Sequence, residues 1–388
     1  MKKRVLSVIL AGAMAFSLAA CGNSGAATEE AATSSDAAEE ETTADTATDE
    51  DLPFDVNNLG DPVTLTVSCG FAESEQGSIT LTYCMDMIED LSGGNITFDR
   101  YMGGSISTPL EDGNNIATGA TDFGSMLEAT MTEKLITWQY AGNGPSVDET
   151  MGLCDEIYFN NEETAAITST EAEAAGLKVL AGQITGHNCI VTRELITSYS
   201  ELAGLTMGTE IGGETWKLYG MSPTTIAVTD EYESLSRGVV DATSASLTAV
   251  ASNKWVEVAP YVLVSDATRV SFWLCMNIDK WNSLSADQQA LIQYACDKTS
   301  EYSMTFTDEF EAEAIAEMEA AGATITWASE EDVAYDNELK YLQDYNVYSA
   351  IAEEQGKLDE FNKVADAALA YFGYSLDELN EKYGDLFN

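Results

Sequence analysis

The sequence predicts an α/β fold, in which helices pack on a β-sheet, from three observations near its start. Residues 63–67 alternate apolar and polar side chains, the pattern of a half-buried strand. A second alternating strand follows at residues 96–101. Between them, residues 77–91 have an apolar residue at every fourth position, which marks one face of a helix: Ile79, Tyr83, Met87 and Leu91. This strand-helix-strand order recurs along the chain and indicates an α/β sheet.

The later elements follow the same order. Residues 162–175 predict a helix that ends at Gly176, because glycine accepts the left-handed conformation common at helix ends. Strands are predicted at residues 177–180 and 205–207. Helical periodicity then dominates residues 232–237, 286–319 and most of 337–386. No apolar run after residue 20 is long enough to cross a membrane.

The N-terminus predicts export. Three basic residues precede an apolar stretch from Val5 to Ala20, the layout of a secretory signal peptide. Residues 18–22 read Leu-Ala-Ala-Cys-Gly and resemble the bacterial lipobox, so we expect cleavage after residue 20 and attachment of diacylglycerol to Cys21. The alternative is an ordinary signal peptide with a chance cysteine. A lipobox predicts a lipid anchor on the outer face of the cell membrane, or a periplasmic location if the cell has two membranes.

Charge is strongly one-sided. The chain has 66 acidic and 17 basic residues, a formal charge of −49. Residues 22–60 contain no Lys or Arg and carry eleven acids, so we expect a disordered, self-repelling tether there. The remainder, residues 61–388, still has 55 acids against 14 bases. Nucleic acid is therefore not an expected partner.

Composition disfavours an enzyme. The chain has one His and seven Cys, none in a C-x-x-C pair, so neither a metal site nor His-based acid–base catalysis is expected. A G-x-S-x-G elbow and a phosphate-binding loop with its lysine are also absent from the sequence. No cofactor is expected. The six cysteines of the folded part are irregularly spaced, and we expect buried free thiols.

Several short motifs occur in a fixed order. A Gly-Gly turn at 93–94 leads into the second strand, and residues 116–124 are similar to an L-x-x-G-x-x-D corner. Residues 231–241 resemble E-V-Y-x-A-L-Q-x-G-V-V-D, and Trp-Asn-Ser-Leu at 281–284 precedes a helix. Together they resemble the solute-binding proteins of tripartite ATP-independent periplasmic (TRAP) transporters, a family that includes the C4-dicarboxylate-binding proteins, from about residue 63 to 328.

The resemblance implies a two-lobed periplasmic-binding-protein fold with mixed sheets, crossing strands between the lobes and a long helix that spans the hinge. It also implies a receptor that captures a small organic solute between the lobes and delivers it to the permease subunits of an ion-gradient-driven transporter. We expect the following division of the chain: signal peptide 1–20, lipidated Cys and tether 21–60, first lobe 61–186, second lobe 187–269, return to the first lobe with the long helix 270–330, and a C-terminal helical extension 331–388.

Three polar ligands of the resembled family are replaced here. The arginine that binds the solute carboxylate aligns with Gly208, a second arginine aligns with Asn188, and an asparagine aligns with Ala245. The solute is therefore either a carboxylate held by another arginine, or a neutral or cationic molecule.

We expect the cleft to combine polar side chains, aromatic walls and at most one cation. Its polar candidates are Asn188, Thr209, Thr243 and Ser244. The aromatic candidates are Trp138, Trp216 and Trp273, each of which could equally belong to a lobe core. Arg100 or Arg269 would supply positive charge, although Arg100 could instead form an internal salt bridge. Without either arginine, the local potential would come from Glu73, Glu128 and Glu210.

Other functions stay open at this point. The receptor could serve an ATP-driven importer or a sensor, because the two-lobed fold alone does not separate these roles. A surface adhesin or scaffold would suit the acidic C-terminal helices. An exported serine hydrolase has the least support, since His187 is the single candidate base.

Overall fold

The computed structural model of the protein describes residues 52–140, 144–184, 186–210, 213–265 and 271–387. The predicted signal peptide, Cys21 and nearly all of the tether lie outside these residues. Residues 56–388 form one compact unit, and the fold described below is that of this unit.

The strands of the described residues are β1 (Val63–Ser68), β2 (Ile96–Tyr101), β3 (Phe123–Met126), β4 (Leu177–Ile184), β5 (Asn188–Thr192), β6 (Thr206–Thr209), β7 (Ser222–Thr225), β8 (Ala242–Ser246), β9 (Tyr261–Ser265), β10 (Ser271–Asn277) and β11 (Thr324–Trp327). The helices are α1 (Gln76–Leu91), α2 (Pro109–Thr118), α3 (Val147–Asp155), α4 (Glu162–Ala174), α5 (Gly213–Leu218), α6 (Val228–Arg237), α7 (Leu247–Ser252), α8 (Ile278–Ser283), α9 (Ala286–Ala320), α10 (Glu330–Glu354), α11 (Leu358–Tyr371) and α12 (Leu376–Tyr383).

The strands form two mixed sheets, each the centre of one lobe. The first sheet has the order β2-β1-β3-β10-β4, and β10 runs antiparallel to both of its neighbours. The second has the order β11-β9-β5-β8-β6-β7, in which β5 is the antiparallel strand. The α/β fold class and the mixed sheets predicted above are confirmed.

Two short crossings and one long helix join the lobes. The chain passes from β4 to β5 at residues 184–188 and from β9 to β10 at residues 265–271. The 35-residue helix α9 packs on α1 and β4 of the first lobe and on α7 and β11 of the second. The predicted long helix thus contacts both lobes, and the chain changes sheet between β4 and β5 and again between β9 and β10. One strand departs from the expected division: β11, inside the segment 270–330 assigned to the first lobe, pairs with β9 of the second sheet.

Helix ends explain why the elements begin where they do. Thr108 and Glu111 form a capping box that starts α2, and Ser285 with Gln288 does the same for α9. Glycine ends α2 and α6 in the left-handed conformation, as expected from the corner motifs. These ends orient the strands that follow.

The C-terminal helices contact both lobes. Asp332 at the start of α10 accepts hydrogen bonds from the Ser198 hydroxyl at 2.8 Å and the Tyr199 amide at 3.1 Å in the second lobe. Further along α10, the carbonyl of Tyr341 accepts the hydroxyl of Tyr140 from the first lobe at 3.0 Å. The predicted extension is therefore part of the interlobe structure.

Candidate functional site

Both sheets end at the lobe junction. The parallel strands of the first sheet finish there, as do those of the second, because the crossings connect the end of β4 to the start of β5 and the end of β9 to the start of β10. Ligands of open α/β sheets bind beyond the carboxyl ends of the strands. The loops that follow these strands therefore line the candidate site.

A buried carboxylate organises the first-lobe side of the junction. Asp112 of α2 accepts the hydroxyls of Ser68 at 3.0 Å and Ser107 at 2.5 Å, and the amide of Gly70 at 2.7 Å. Gly70 must be glycine, because a Cβ there would collide with the backbone of Pro109. Asp112 thereby fixes the loops after β1 and β2 against each other.

Aromatic rings follow these loops. Phe71 contacts Phe272 of β10 edge to face, with ring centroids 4.8 Å apart. On the hinge side, the ring of Trp327 meets the ring of His187 at 5.1 Å. Phe71 and Trp327 were not among the aromatic side chains that the sequence suggested.

The hinge itself contains a tight acid–imidazole contact. His187 Nδ1 lies 2.6 Å from Glu311 Oε2 of α9, and the backbone amide of His187 donates to Oε1 of the same carboxylate. Gly186 precedes it at a φ of 86°, and any Cβ there would meet Glu311. This contact ties the first crossing segment to the long helix.

On the second-lobe side, the structure brings together three of the predicted residues. Asn188 is half-buried and lies opposite Ser246 and Ser265 on the neighbouring strands. Ser244 lies two residues along β8 from Ser246 and therefore shares that face. Thr209 is the last residue of β6, at the same edge. These side chains form a small polar edge at the junction.

Thr243 lies elsewhere. Alternation turns it to the opposite face of β8, where it is fully buried and contacts the Gly208 carbonyl at 3.2 Å and the Glu231 carboxylate. Burial raises the pKa of Glu231 to about 7, the bond from Thr243 opposes this shift, and the nearby charge of Glu210 adds to it. The pair forms a polar contact beneath the junction rather than part of its surface.

Two of the predicted tryptophans are buried, whereas Trp216 and Glu128, which comes just after the end of β3, are half-buried. Trp138 is buried, stacks on Tyr158 with centroids 4.1 Å apart, and meets Trp273 edge to face at 5.1 Å. The indole of Trp273 donates to Glu128 Oε2 at 3.0 Å. Trp216 is half-buried beside Tyr219, with centroids 5.9 Å apart.

The described arginines all contact acids. Arg100 binds Asp86 at 2.6 Å and Glu89 at 2.8 Å, both on α1. These contacts match the alternative expectation that Arg100 forms an internal salt bridge. The other pairs are Arg193 with Asp241 at 4.0 Å and Arg237 with Glu233. Arg269 lies outside the described residues.

Gly208, the position aligned with the family arginine, faces the core of the second lobe. A Cβ there would lie 3.3 Å from Val240 and 3.6 Å from Ile226. A side chain at this position would start on the side of the sheet opposite to Thr209. The loss of arginine at 208 is thus a weaker indication of solute charge than the alignment suggested.

Sequence reasoning missed Asp112, Phe71, Glu311 and Trp327. A signal existed for Glu311, because Thr299, Ser303, Thr307 and Glu311 follow one another at spacings of four within the predicted long helix.

Within the described residues, no group of three or more His, Cys, Asp or Glu side chains is placed to hold a metal ion. None of the described helices combines the length and hydropathy of a membrane span.

Known proteins resemble this chain over most of its folded part. The family model described as bacterial extracellular solute-binding protein, family 7 (DctP), matches residues 72–343. A solute-binding protein of Roseobacter denitrificans is 24% identical over 269 residues, which span 67% of this chain and 81% of that protein. The ectoine-binding periplasmic protein TeaA of Halomonas elongata is 23% identical over 192 residues, 48% of this chain and 56% of that protein.

Solved structures share the fold. The apo structure of TeaA, described as the ectoine-binding protein of the TeaABC TRAP transporter, superimposes with a TM-score of 0.69 at 18% identity, covering 82% of this chain and all of that one. A Sulfitobacter TRAP solute-binding protein with bound β-D-galacturonate gives 0.64 at 17% identity, covering 79% and 99%. The family match over more than half of its length shows that the chain belongs to the family 7 bacterial extracellular solute-binding proteins, the extracytoplasmic receptors of TRAP transporters.

Proposed function

We propose that this protein captures a small organic solute at the junction of its two lobes and presents it to the permease of a TRAP transporter. The observation that carries the proposal is the arrangement of the two sheets, whose strand ends converge where two short crossings and α9 allow hinge motion. Capture needs no catalytic step, and we expect no enzymatic activity.

We further propose that the solute is neutral overall or carries a positive charge. The loops after β1 and β2, residues 69–75 and 102–108, contain Glu73 and Glu75 but no Lys or Arg, and Glu210 directly follows β6. Arg100 is engaged by two carboxylates of α1. The polar edge of Asn188, Thr209 and Ser244 would bind the solute through hydrogen bonds. A carboxylate solute held by Arg269 is the alternative.

Thermal unfolding of the purified protein tests binding, and its six tryptophans supply the fluorescence signal. The panel is D-galacturonate, D-glucose, orotate, ectoine and glycine betaine, together with dicarboxylates and amines. A solute at a hundred times its Kd adds about 2.7 kcal/mol to the free energy of unfolding, a shift of a few degrees. The proposal expects at least one such shift, and a panel without any shift would count against it.

Two arginine variants then separate the solute classes. Arg269→Gln abolishes binding if a carboxylate is the solute and leaves it intact if the solute is neutral or cationic. The matched control is Arg237→Gln, since Arg237 pairs with Glu233 on the exposed face of α6 and both variants remove one positive charge. Loss of binding in Arg269→Gln alone would overturn the proposed charge class.

We also propose that Cys21 carries a lipid anchor and that residues 22–60 hold the lobes away from the membrane. The proposal rests on the lipobox at residues 18–22 and the acidic composition that follows it. In a cell fractionation, the wild-type protein should sediment with membranes, and Cys21→Ala should fail to acquire lipid. Equal lipid labelling of both proteins would contradict the anchor.

An adhesin role for the C-terminal helices is less favoured, because α10 binds both lobes through Asp332 and Tyr341 and so has a part in the receptor itself.

A further inference from the structure

Helix α9 buries a polar stripe where it passes the lobe junction. Thr299, Ser303, Thr307 and Glu311 are each at most 5% exposed and lie on one face at spacings of four. Apolar side chains occupy this face on either side, from Leu291 to Cys296 and from Ala314 to Met318. The long helix thus changes from apolar to polar packing where the lobes meet.

The hydroxyls of this stripe are satisfied within the protein. Thr299 donates to the carbonyl of Ala295 at 2.7 Å, and Ser303 donates to that of Ser300 at 2.8 Å. Thr307 accepts the side-chain amide of Gln76 from α1 at 2.5 Å. Polar groups buried in this layer therefore have hydrogen-bond partners as a rule.

Gln183 differs from these residues because both polar atoms of its side chain are concerned. It is the penultimate residue of β4, is 1% exposed, and neither its Nε2 nor its Oε1 has a hydrogen-bond partner among the residues that the structure describes. Its cross-strand neighbour is Phe272, whose ring packs against Gly77 of α1. Directly opposed residues of antiparallel strands project to the same face, so the Gln183 side chain lies beside Phe272 on the face covered by α1 and α9.

A buried amide without partners is costly, because its hydrogen bonds to water are lost and not replaced. Such groups occur where a ligand or a bound water completes the bonding. We infer that Gln183 is a specificity-determining residue of the solute site, which binds a hydroxyl or amide group of the solute that both donates and accepts a hydrogen bond. This inference rests on the proposed solute-capture function.

Two aromatic rings lie near this subsite. Phe272 is 6% exposed and contacts Phe71, which is half-buried in the loop between β1 and α1. Gln183 itself is 1% exposed, so this subsite is closed to solvent in the state described.

Gln183→Met tests the inference, because methionine has nearly the same length and no hydrogen-bonding amide. The matched control is Gln288→Met. Gln288 is also buried, at 3% exposure, but its amide is fully used: it donates to the Asp61 carbonyl and to Asn95, and accepts from the Ser285 amide. Both variants are measured for urea unfolding without solute and for binding of D-galacturonate, D-glucose, orotate, ectoine and glycine betaine by calorimetry.

The two variants should show opposite results. Gln183→Met should keep the wild-type unfolding midpoint and bind the best hydroxyl- or amide-bearing panel solute at least tenfold more weakly. Gln288→Met should lower the midpoint and keep the wild-type affinity. If Gln183→Met lowers the midpoint as Gln288→Met does, or binds as tightly as wild type, the amide serves the fold or holds a structural water and the inference fails. If no panel solute binds the wild-type protein, the proposed function fails first.

Discussion

Glu231 shows how one buried side chain links the second lobe to pH. Its pKa of about 7 exceeds the ordinary value of 4.5, chiefly because the carboxylate is buried. The folded state therefore binds the proton more tightly than the unfolded state does. The stability from this group is complete below about pH 4.5 and is lost as pH rises through 7, by about 3 kcal/mol in total.

We expect Glu231→Gln to remove this part of the pH dependence. The measurement is urea unfolding of wild type and variant between pH 4.5 and 8, in which the difference between their free energies of unfolding should change by about 3 kcal/mol. Parallel curves across this range would contradict the assignment.

Gly176 joins α4 to β4 and leads the chain into the strand that carries Gln183. Its φ is 90°, and a Cβ there would collide with the carbonyl oxygen of Ala117. Gly204 has the same φ of 90° but open space around it. Gly204→Ala should cost about 1–2 kcal/mol through backbone strain alone. Gly176→Ala should cost about 3 kcal/mol or more because the collision is added. Equal unfolding midpoints of the two variants would contradict this account.

At single residues, the alignment with the resembled family suggested positions, and contacts could not be predicted. Asn188 came from that alignment and Ser244 from the segment around Ala245, and neither lay in a strand that the sequence predicted. Thr243 was placed at the cleft, although its side chain points to the other face, since the phase of a short strand depends on its neighbours. The partners of Arg100 lie on α1, at Asp86 and Glu89, and only the packed fold brings that helix face to β2.

Among the elements, the first crossing and α9 are joined by the contact between His187 and Glu311, which a single substitution can weaken. Glu311 is 5% exposed and accepts two hydrogen bonds from His187. Glu311→Gln keeps the size of the side chain but replaces one acceptor oxygen by a donor, so one bond is lost. We expect a loss of about 1–3 kcal/mol in urea unfolding. Glu309→Gln is the control, because Glu309 is exposed on the same helix and should unfold as wild type does.

The helix α10 allows a second prediction, that the two lobes need it in order to fold. Leu339, Tyr341 and Leu342 are fully buried in it, in the same cluster as Trp138 of the first lobe and Ile190 of the second. A chain that stops after Ala328 should therefore fail to fold and aggregate on expression. A chain that stops after Gly373 lacks only α12 and the few residues around it, and should remain folded with a lower melting temperature. Solute binding by the chain that stops after Ala328 would contradict the role of α10 in joining the two lobes.

Long periodic helices and β-branched strands could be predicted from sequence, and weak strands could not. The prediction of a helix over 286–319 matches α9, since its period is sustained over many turns. Strand β7 was missed because its sequence, Ser-Pro-Thr-Thr, has little strand propensity; it forms as an edge strand, where proline is tolerated, by pairing with β6. The sheet membership of β11 depends on pairing that no local pattern encodes.

For the molecule as a whole, acidity is the dominant property. Residues 61–388 carry 55 acids and 14 bases, so unscreened repulsion opposes the compact state. Raising ionic strength from 0.01 to 0.15 M shortens the screening length from about 30 to about 8 Å. We expect the melting temperature to rise over this range, with NaCl and KCl acting alike. A fall in melting temperature would indicate that ion pairs such as Arg100 with Glu89 outweigh the repulsion.

The position of β10 has a consequence for biogenesis. This strand lies between β3 and β4 in the first sheet. Along the chain, however, β10 begins more than 140 residues after the end of β3 and nearly 90 residues after the end of β4. Until residue 277 has been synthesised, β3 and β4 each have a bare edge available for wrong pairing. High contact order of this kind slows folding and favours chaperone protection of the nascent chain. Neither lobe is a contiguous fragment, and the two should fold as one cooperative unit.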